Sequence, residues 1–230
     1  MGRYLNADQH KIVSDAVAAA ELQTSGEIVT VLADRSDGYS DIALVWAATA
    51  AFTMMSVFAL FPSPFMQLWD SLVIGPIFGG WGHEWTTGEL ATMTIALGLI
   101  TFALTWALQL WDPLRFALVP GPVKTTRAHD AAIKHFKVGA ERRTHGRTGV
   151  LLYLSMQEHR AEIVADEPIA EKVKAEVWGD AMADMLQHIK RGEIAEGLAA
   201  GARDVGEVLS EHFPRDEDDQ NELPDRLIEV

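Results

Sequence analysis

Apolar positions along the chain fall into three periodic regimes. In the first, Ile12, Val13, Ala16, Val17 and Ala20 recur at spacings of three and four. That spacing predicts an amphipathic helix over 7–22, opened by the pair Asn6 and Gln9 and ended by Thr24-Ser25-Gly26. The run 27–33, EIVTVLA, is β-branched and apolar and predicts a buried strand that stops at Asp34. Two long uncharged runs follow, 42–61 (IALVWAATAAFTMMSVFALF) and 90–111 (LATMTIALGLITFALTWALQLW). As helices each spans about 30 Å, the thickness of a bilayer's hydrocarbon core. Buried helices of a soluble core usually carry a polar stripe and run shorter, so the pair predicts a two-helix transmembrane hairpin over 41–112. Pro113 is placed to stop the second helix.

Short elements return after the hairpin. A helix is predicted over 124–143 (Ala128, Ala132, Ile133 and Phe136 on one face), a strand over 149–155 (GVLLYLS), a turn at 157–159, and an alternating strand over 160–165 (RAEIVA). Three helices complete the chain at about 168–178, 181–191 and 193–212. One strand and one helix before the hairpin cannot make a core. Joined to the second piece they form an α/β layer structure, with strands 27–33 and 149–155 parallel and 160–165 turning back antiparallel. Residues 214–230 hold seven acids and two arginines without periodicity and are expected to be a mobile acidic tail.

Charge and aromatic placement sharpen the membrane reading. The formal charge is -14, which argues against a nucleic-acid partner, and the absence of cysteine excludes disulfides, Cys-ligated zinc, iron–sulfur clusters and thiol catalysis. No Lys or Arg lies between Arg35 and Arg115, whereas Arg115, Lys124, Arg127, Lys134 and Lys137 follow closely. By the positive-inside rule both termini face the cytoplasm and the loop 62–89 faces outward. No signal-peptide pattern opens the chain, so the hairpin is expected to act as its own insertion signal. The loop stretch 68–81 is apolar but broken by Asp70, Gly75, Pro76 and Gly79-Gly80, and reads as interfacial or re-entrant rather than a third span. Six of the seven tryptophans, Trp46, Trp69, Trp81, Trp85, Trp106 and Trp111, lie in or beside this block, as indoles at headgroup level do, and are the candidate membrane or partner contacts.

The segments TSGEIVTVLAD (24–34), RTGVLLYLSMQEHRAEIVAD (147–166) and IKRGEIAEGLAAGARDVGEVL (189–209) resemble the TPM-domain family. That family includes a plant thylakoid-lumen protein and bacterial relatives. The sequence resembles a bacterial subgroup in which a transmembrane pair interrupts the domain after its first strand. The resemblance covers roughly 5–35 and 123–213 and implies a small α/β/α sandwich. It also implies two kinds of activity, since some members are described as acid phosphatases and others as repair, assembly or accessory factors of membrane complexes.

Candidate chemistry collects at strand ends. Asp34 and Asp37 follow the first strand, Asp166 and Glu167 the third, and carboxylates so placed suit a divalent cation or acid–base work. The predicted topology puts Asp34 and Asp166 at opposite ends of the sheet. Asp166 is expected near Ser25, Glu27, Arg147 and Thr148, and Asp34 near Arg35, Asp37, Glu158, His159 and Arg160. His159, in the turn, is a candidate acid–base residue, whereas His129 and His135 sit on different helix faces and predict no shared metal. The plainer reading of both clusters is solvated ion pairs. No cofactor is evident beyond that divalent cation. The expected protein is a two-pass inner-membrane accessory or assembly subunit of a larger bacterial complex, a bioenergetic one by analogy with the family, with lipid and other integral membrane proteins as partners. The alternative is a membrane-tethered phosphomonoester hydrolase.

Overall fold

The computed structural model describes residues 4–74, 76, 84–139, 148–215 and 225–230. The chain divides into two compact units, Met1–Gly38 with Pro120–Val230, and Tyr39–Val119.

The first unit is a mixed sheet between two helical layers. Among the described residues its strands are β1 (Glu27–Ala33), β2 (Gly149–Ser155), β3 (Arg160–Ala165) and β4 (Ile228–Glu229), in the order β3-β2-β1-β4. β1 and β2 are parallel, with Glu27 opposite Gly149 and Ala33 opposite Ser155, and β3 pairs antiparallel to β2. Every side chain of β1 and β2 is buried. Such strands read as continuous apolar runs because both sheet faces are covered. Ile28, Leu32, Leu152 and Leu154 pack against α1 (Ala7–Glu21) and the C-terminal helices, through Val13, Val17, Leu198, Val205 and Leu209. Val29, Val31, Leu151 and Tyr153 face the other way, against Ala132 and Phe136. α1 starts on the full capping box of Asn6 and Gln9.

The second unit comprises α2 (Ser40–Leu60), α3 (Pro62–Trp69), which runs on as a π-helical turn over Asp70–Ile74, α4 (Thr87–Leu108) and α5 (Asp112–Leu118). Among the described residues α2 and α4 are the two helices long and apolar enough to cross a membrane. They share a seam of small residues: Ala43, Ala47 and Ala51 on α2 and Gly98 on α4 are buried. Small side chains at every fourth position let two backbones approach without a polar contact. The side-chain amide of Gln109 closes the seam, donating to the carbonyls of Ala43 (3.1 Å) and Thr105 (3.0 Å). Leu44, Val45, Phe52, Leu60, Ile95, Leu99 and Leu104 remain exposed.

The remaining helices of the first unit are α6 (Gly121–Gly139), which lies between α5 and β2 in sequence, then α7 (Glu167–Lys172), α8 (Ala175–Lys190) and α9 (Ile194–His212). Four expectations are corrected. The helix break expected at 179–180 lies at Val173-Lys174, where Val173 turns to an extended conformation and buries its side chain, and Gly179 sits inside α8. α6 begins at Gly121 rather than 124, and its expected end falls outside the described residues. Pro113 does not end α4, which stops at Leu108; it occupies the first turn of α5, where its missing N–H costs nothing. The expected mobile tail ends in structure: β4 joins the open edge of β1, and Leu227 is buried. The mean charge of 214–230 hid Leu227 and Ile228, which supply the apolar contact. Of the loop stretch 68–81, residues 68–74 are helical, and Gly75, Gly79, Gly80 and Trp81 lie outside the described residues.

Candidate functional site

The carboxyl ends of parallel strands are where open α/β sheets usually bind ligands. At that end of β1 and β2 the chain builds a buried polar network around Glu158, which is 2% exposed. The turn Met156–His159 carrying it is fastened to β1 by Met156 N–H to Ala33 O (3.0 Å) and Gln157 N–H to Asp34 O (3.0 Å). His159 takes a left-handed conformation, φ 52°, to return the chain into β3. Glu158 Oε1 accepts from the Ser36 N–H at 2.9 Å, and Oε2 from the Ser155 hydroxyl. The Ser36 hydroxyl meets the Tyr153 hydroxyl at 3.0 Å. The His135 ring of α6 stacks over Tyr153, centroids 5.7 Å apart. Burial raises the Tyr153 phenol above its ordinary range; the Ser36 bond opposes this and the Glu158 charge adds to it. Burial lowers the His135 imidazole, which favours its neutral form.

The sequence-derived candidates are placed as follows. Asp34 accepts from the Tyr4 hydroxyl, and its backbone N–H donates to Val230 O at 2.8 Å. Asp37 pairs with Arg127 of α6 at 3.2 Å and accepts from the Gly38 N–H. Arg160 donates to Thr125 Oγ1 at 3.1 Å, and His129 meets Glu162 at 3.1 Å. At the opposite end of the sheet Asp166 Oδ2 accepts from the Gly149 N–H at 2.9 Å, while the Asp166 carbonyl accepts from Ile169 and Ala170 at the start of α7. Glu167, in the first turn of α7, is exposed. Arg147 lies outside the described residues. Thr148 donates to the Ser25 carbonyl, as the adjacency of those strand starts implied. Glu27 lines a cavity with Glu21 and Asp225. Among the described residues no group of three or more His, Asp or Glu side chains converges as metal ligands would.

In the second unit Trp46 donates to Leu118 O at 3.1 Å while its ring stays 42% exposed, and Trp69 and Trp111 are exposed too. Trp85 and Trp106 are half-buried, and Trp81 is outside the described residues.

Sequence reasoning singled out Glu158 only as a neighbour of Asp34 and passed over Ser36, Tyr153, Ser155, Tyr4 and Glu21. A signal existed for three of them. Tyr153 and Ser155 interrupt an otherwise aliphatic buried strand, and Glu21 falls four residues after Val17, on the apolar stripe of α1.

Comparison with known proteins agrees with this architecture. Residues 120–208 match the family model of the TPM domain. No curated protein matches the chain. Among solved structures, the NMR structure of the BA42 protein from the psychrophilic bacterium Bizionia argentinensis is similar in fold, with a TM-score of 0.55 and 18% identity over 99% of this chain and 97% of that one.

Proposed function

We propose that this protein is a membrane-anchored, non-catalytic accessory or assembly subunit of a larger inner-membrane complex. In this reading α2 and α4 form a two-pass hairpin, and both ends of the chain lie on the cytoplasmic side. The observation that carries it is the exposure of those helices: only 22% of the most apolar window of α2 and 6% of that of α4 is buried. A soluble core would bury such helices. Here the shared seam accounts for the small residues, and the large apolar side chains around it need lipid or another membrane protein. The strand-end acids support the same reading, because Asp34, Asp37, Asp166 and Glu158 are each engaged in hydrogen bonds that hold loops and strand ends in place.

Native purification of the tagged chain in mild detergent, with mass spectrometry of the eluate, tests the proposal. Stoichiometric integral membrane proteins are expected to co-elute, and Trp69→Ala with Trp111→Ala to release them. A chain that runs alone, and is unaffected by those changes, defeats it.

The second reading, a membrane-tethered phosphomonoester hydrolase, rests on the TPM match together with the hydroxyls of Ser36 and Tyr153 at the strand carboxyl ends. It requires turnover of p-nitrophenyl phosphate that Asp34→Asn or Asp37→Asn abolishes while the fold persists. On the accessory reading neither the parent chain nor either variant turns over above background.

A further inference from the structure

The two helical layers of the α/β unit differ in the sign of their charge. Eight of the chain's 19 Lys and Arg fall within residues 115–147, against two of its 33 Asp and Glu. Four of those eight lie on α6, whose single acid is Asp130. Ala131, Ala132 and Phe136 pack one side of this helix onto the sheet. Lys124, Arg127, Lys134 and Lys137 recur at spacings of three and seven along the side turned away, with Asp130 among them. Lys134 and Lys137 are exposed, and Lys124 is half-buried. Arg127 is committed to Asp37 at 3.2 Å, whereas the three lysines form no ion pair among the described residues. Val138, 75% exposed, ends the stripe with an apolar side chain. The opposite face of the sheet is covered by α1, α8 and α9. There the sign reverses, because α8 and α9 together carry seven Asp and Glu against Lys190 and Arg203.

A body charged in this way has a preferred side toward an anionic surface. From Lys124 to Lys137 the stripe runs about 20 Å along the helix, too far for one small anion to bridge. Its lysines are strongly hydrated point charges, suited to an array of phosphates rather than to a fixed fork of hydrogen bonds. α6 begins at Gly121, a short stretch after α4 ends at Leu108. On the two-pass reading that end of α4 is cytoplasmic, where anionic lipids make the leaflet negative and attract basic segments beside a span. The rest of this acidic chain is repelled there.

We infer that the outer face of α6 is a docking surface for anionic phospholipid headgroups, with Lys134 and Lys137 as its main contacts and Val138 entering the headgroup layer. The inference rests on the two-pass reading and extends it. The hairpin holds the chain in the bilayer, and the lysine stripe selects the side of the α/β unit that lies on the leaflet.

Lysine acetylation rates, read by mass spectrometry on the full chain in lipid nanodiscs, test the docking. Discs of phosphatidylcholine alone are compared with discs that also contain phosphatidylglycerol, at low ionic strength. Docking holds the amines in their protonated, unreactive form, so Lys134 and Lys137 are expected to react about three- to sevenfold more slowly in the anionic discs. Lys174 and Lys190, at the two ends of α8, are expected to keep their rates, and high salt to restore those of α6. Lys134→Gln combined with Lys137→Gln is expected to abolish the slowing at Lys124. Equal rates at Lys134 and Lys137 in both discs, or equal slowing at Lys174 and Lys190, overturns the inference and leaves the hairpin standing. Slowing that needs a co-eluting protein and ignores phosphatidylglycerol gives the face to an acidic protein and overturns it too. Amide exchange of α2 and α4 in the same discs reads the hairpin separately. Fast exchange there defeats the two-pass reading, and the inference falls with it.

Discussion

Gly206→Val is expected to destabilise the α/β unit by about 3 kcal/mol, because it drives a branched side chain into the contact between α9 and α1. A Cβ at Gly206 meets the Ala20 Cβ at 2.5 Å and the Ala20 Cα at 3.1 Å. The second of these is backbone, so no rotamer change relieves it. α1 lies before the inserted helical unit in sequence and α9 far after it, and their tight crossing on one sheet face unites the two separated pieces of chain. Gly179→Ala is the control. It lies in the middle of α8 with nothing near its Cβ position, and is expected to gain about 0.5–1 kcal/mol from helix propensity alone. Opening free energies from amide exchange of β1 and β2 in the full chain read both effects. Equal stability of Gly206→Val and the parent chain would show that α1 and α9 do not pack this closely.

Glu158→Ala is expected to cost a further comparable amount, about 3 kcal/mol, for a different reason. It removes the acceptor of the buried Ser155 hydroxyl and of the half-buried Ser36 N–H, and each donor left unsatisfied costs about 1–3 kcal/mol. Glu158→Gln keeps one carbonyl oxygen and the side chain's volume, and Ser155 can turn its hydroxyl to accept from the new amide, so its loss is expected near 1 kcal/mol. A spectroscopic sign separates this from general loosening. The Glu158 charge contributes to raising the Tyr153 phenol, so Glu158→Gln is expected to titrate Tyr153 at lower pH while the fold is retained. An unmoved tyrosinate transition would mean that the two groups do not sense each other.

Much of this architecture is legible in the residue order, and the reasons are local. β1, β2 and β3 occupy 27–33, 149–155 and 160–165, the spans their pattern predicts, because each is a short run bounded by Gly, Ser or a turn. Strands buried on both faces leave no alternation to misread. The register that sets Asp34 and Asp166 at opposite ends follows from the strand directions alone. The long apolar helices are equally plain, since no charge interrupts 42–61 or 90–111.

The errors fall where a local signal competes with a distant contact. Trp178-Gly179-Asp180 has the composition of a helix break, yet α8 runs through it, because Val173 is drawn into the core and the chain turns there instead. Residues 214–230 have the composition of a solvated tail, yet two aliphatic side chains and the open edge of β1 recruit their last six residues.

By itself the sequence determined which segments are apolar on one face, on both faces or throughout, and hence the strands, the amphipathic helices and the uncharged pair. Those depend on the transfer of side chains from water, which each short segment expresses alone. Only the tertiary structure decided that Glu158 serves Ser36 and Ser155, that Asp166 serves Gly149, and that Glu21 serves Ile28. A buried polar atom's partner is set by geometry to within a few tenths of an ångström between residues as many as 122 positions apart, and no periodicity along the chain encodes such a distance.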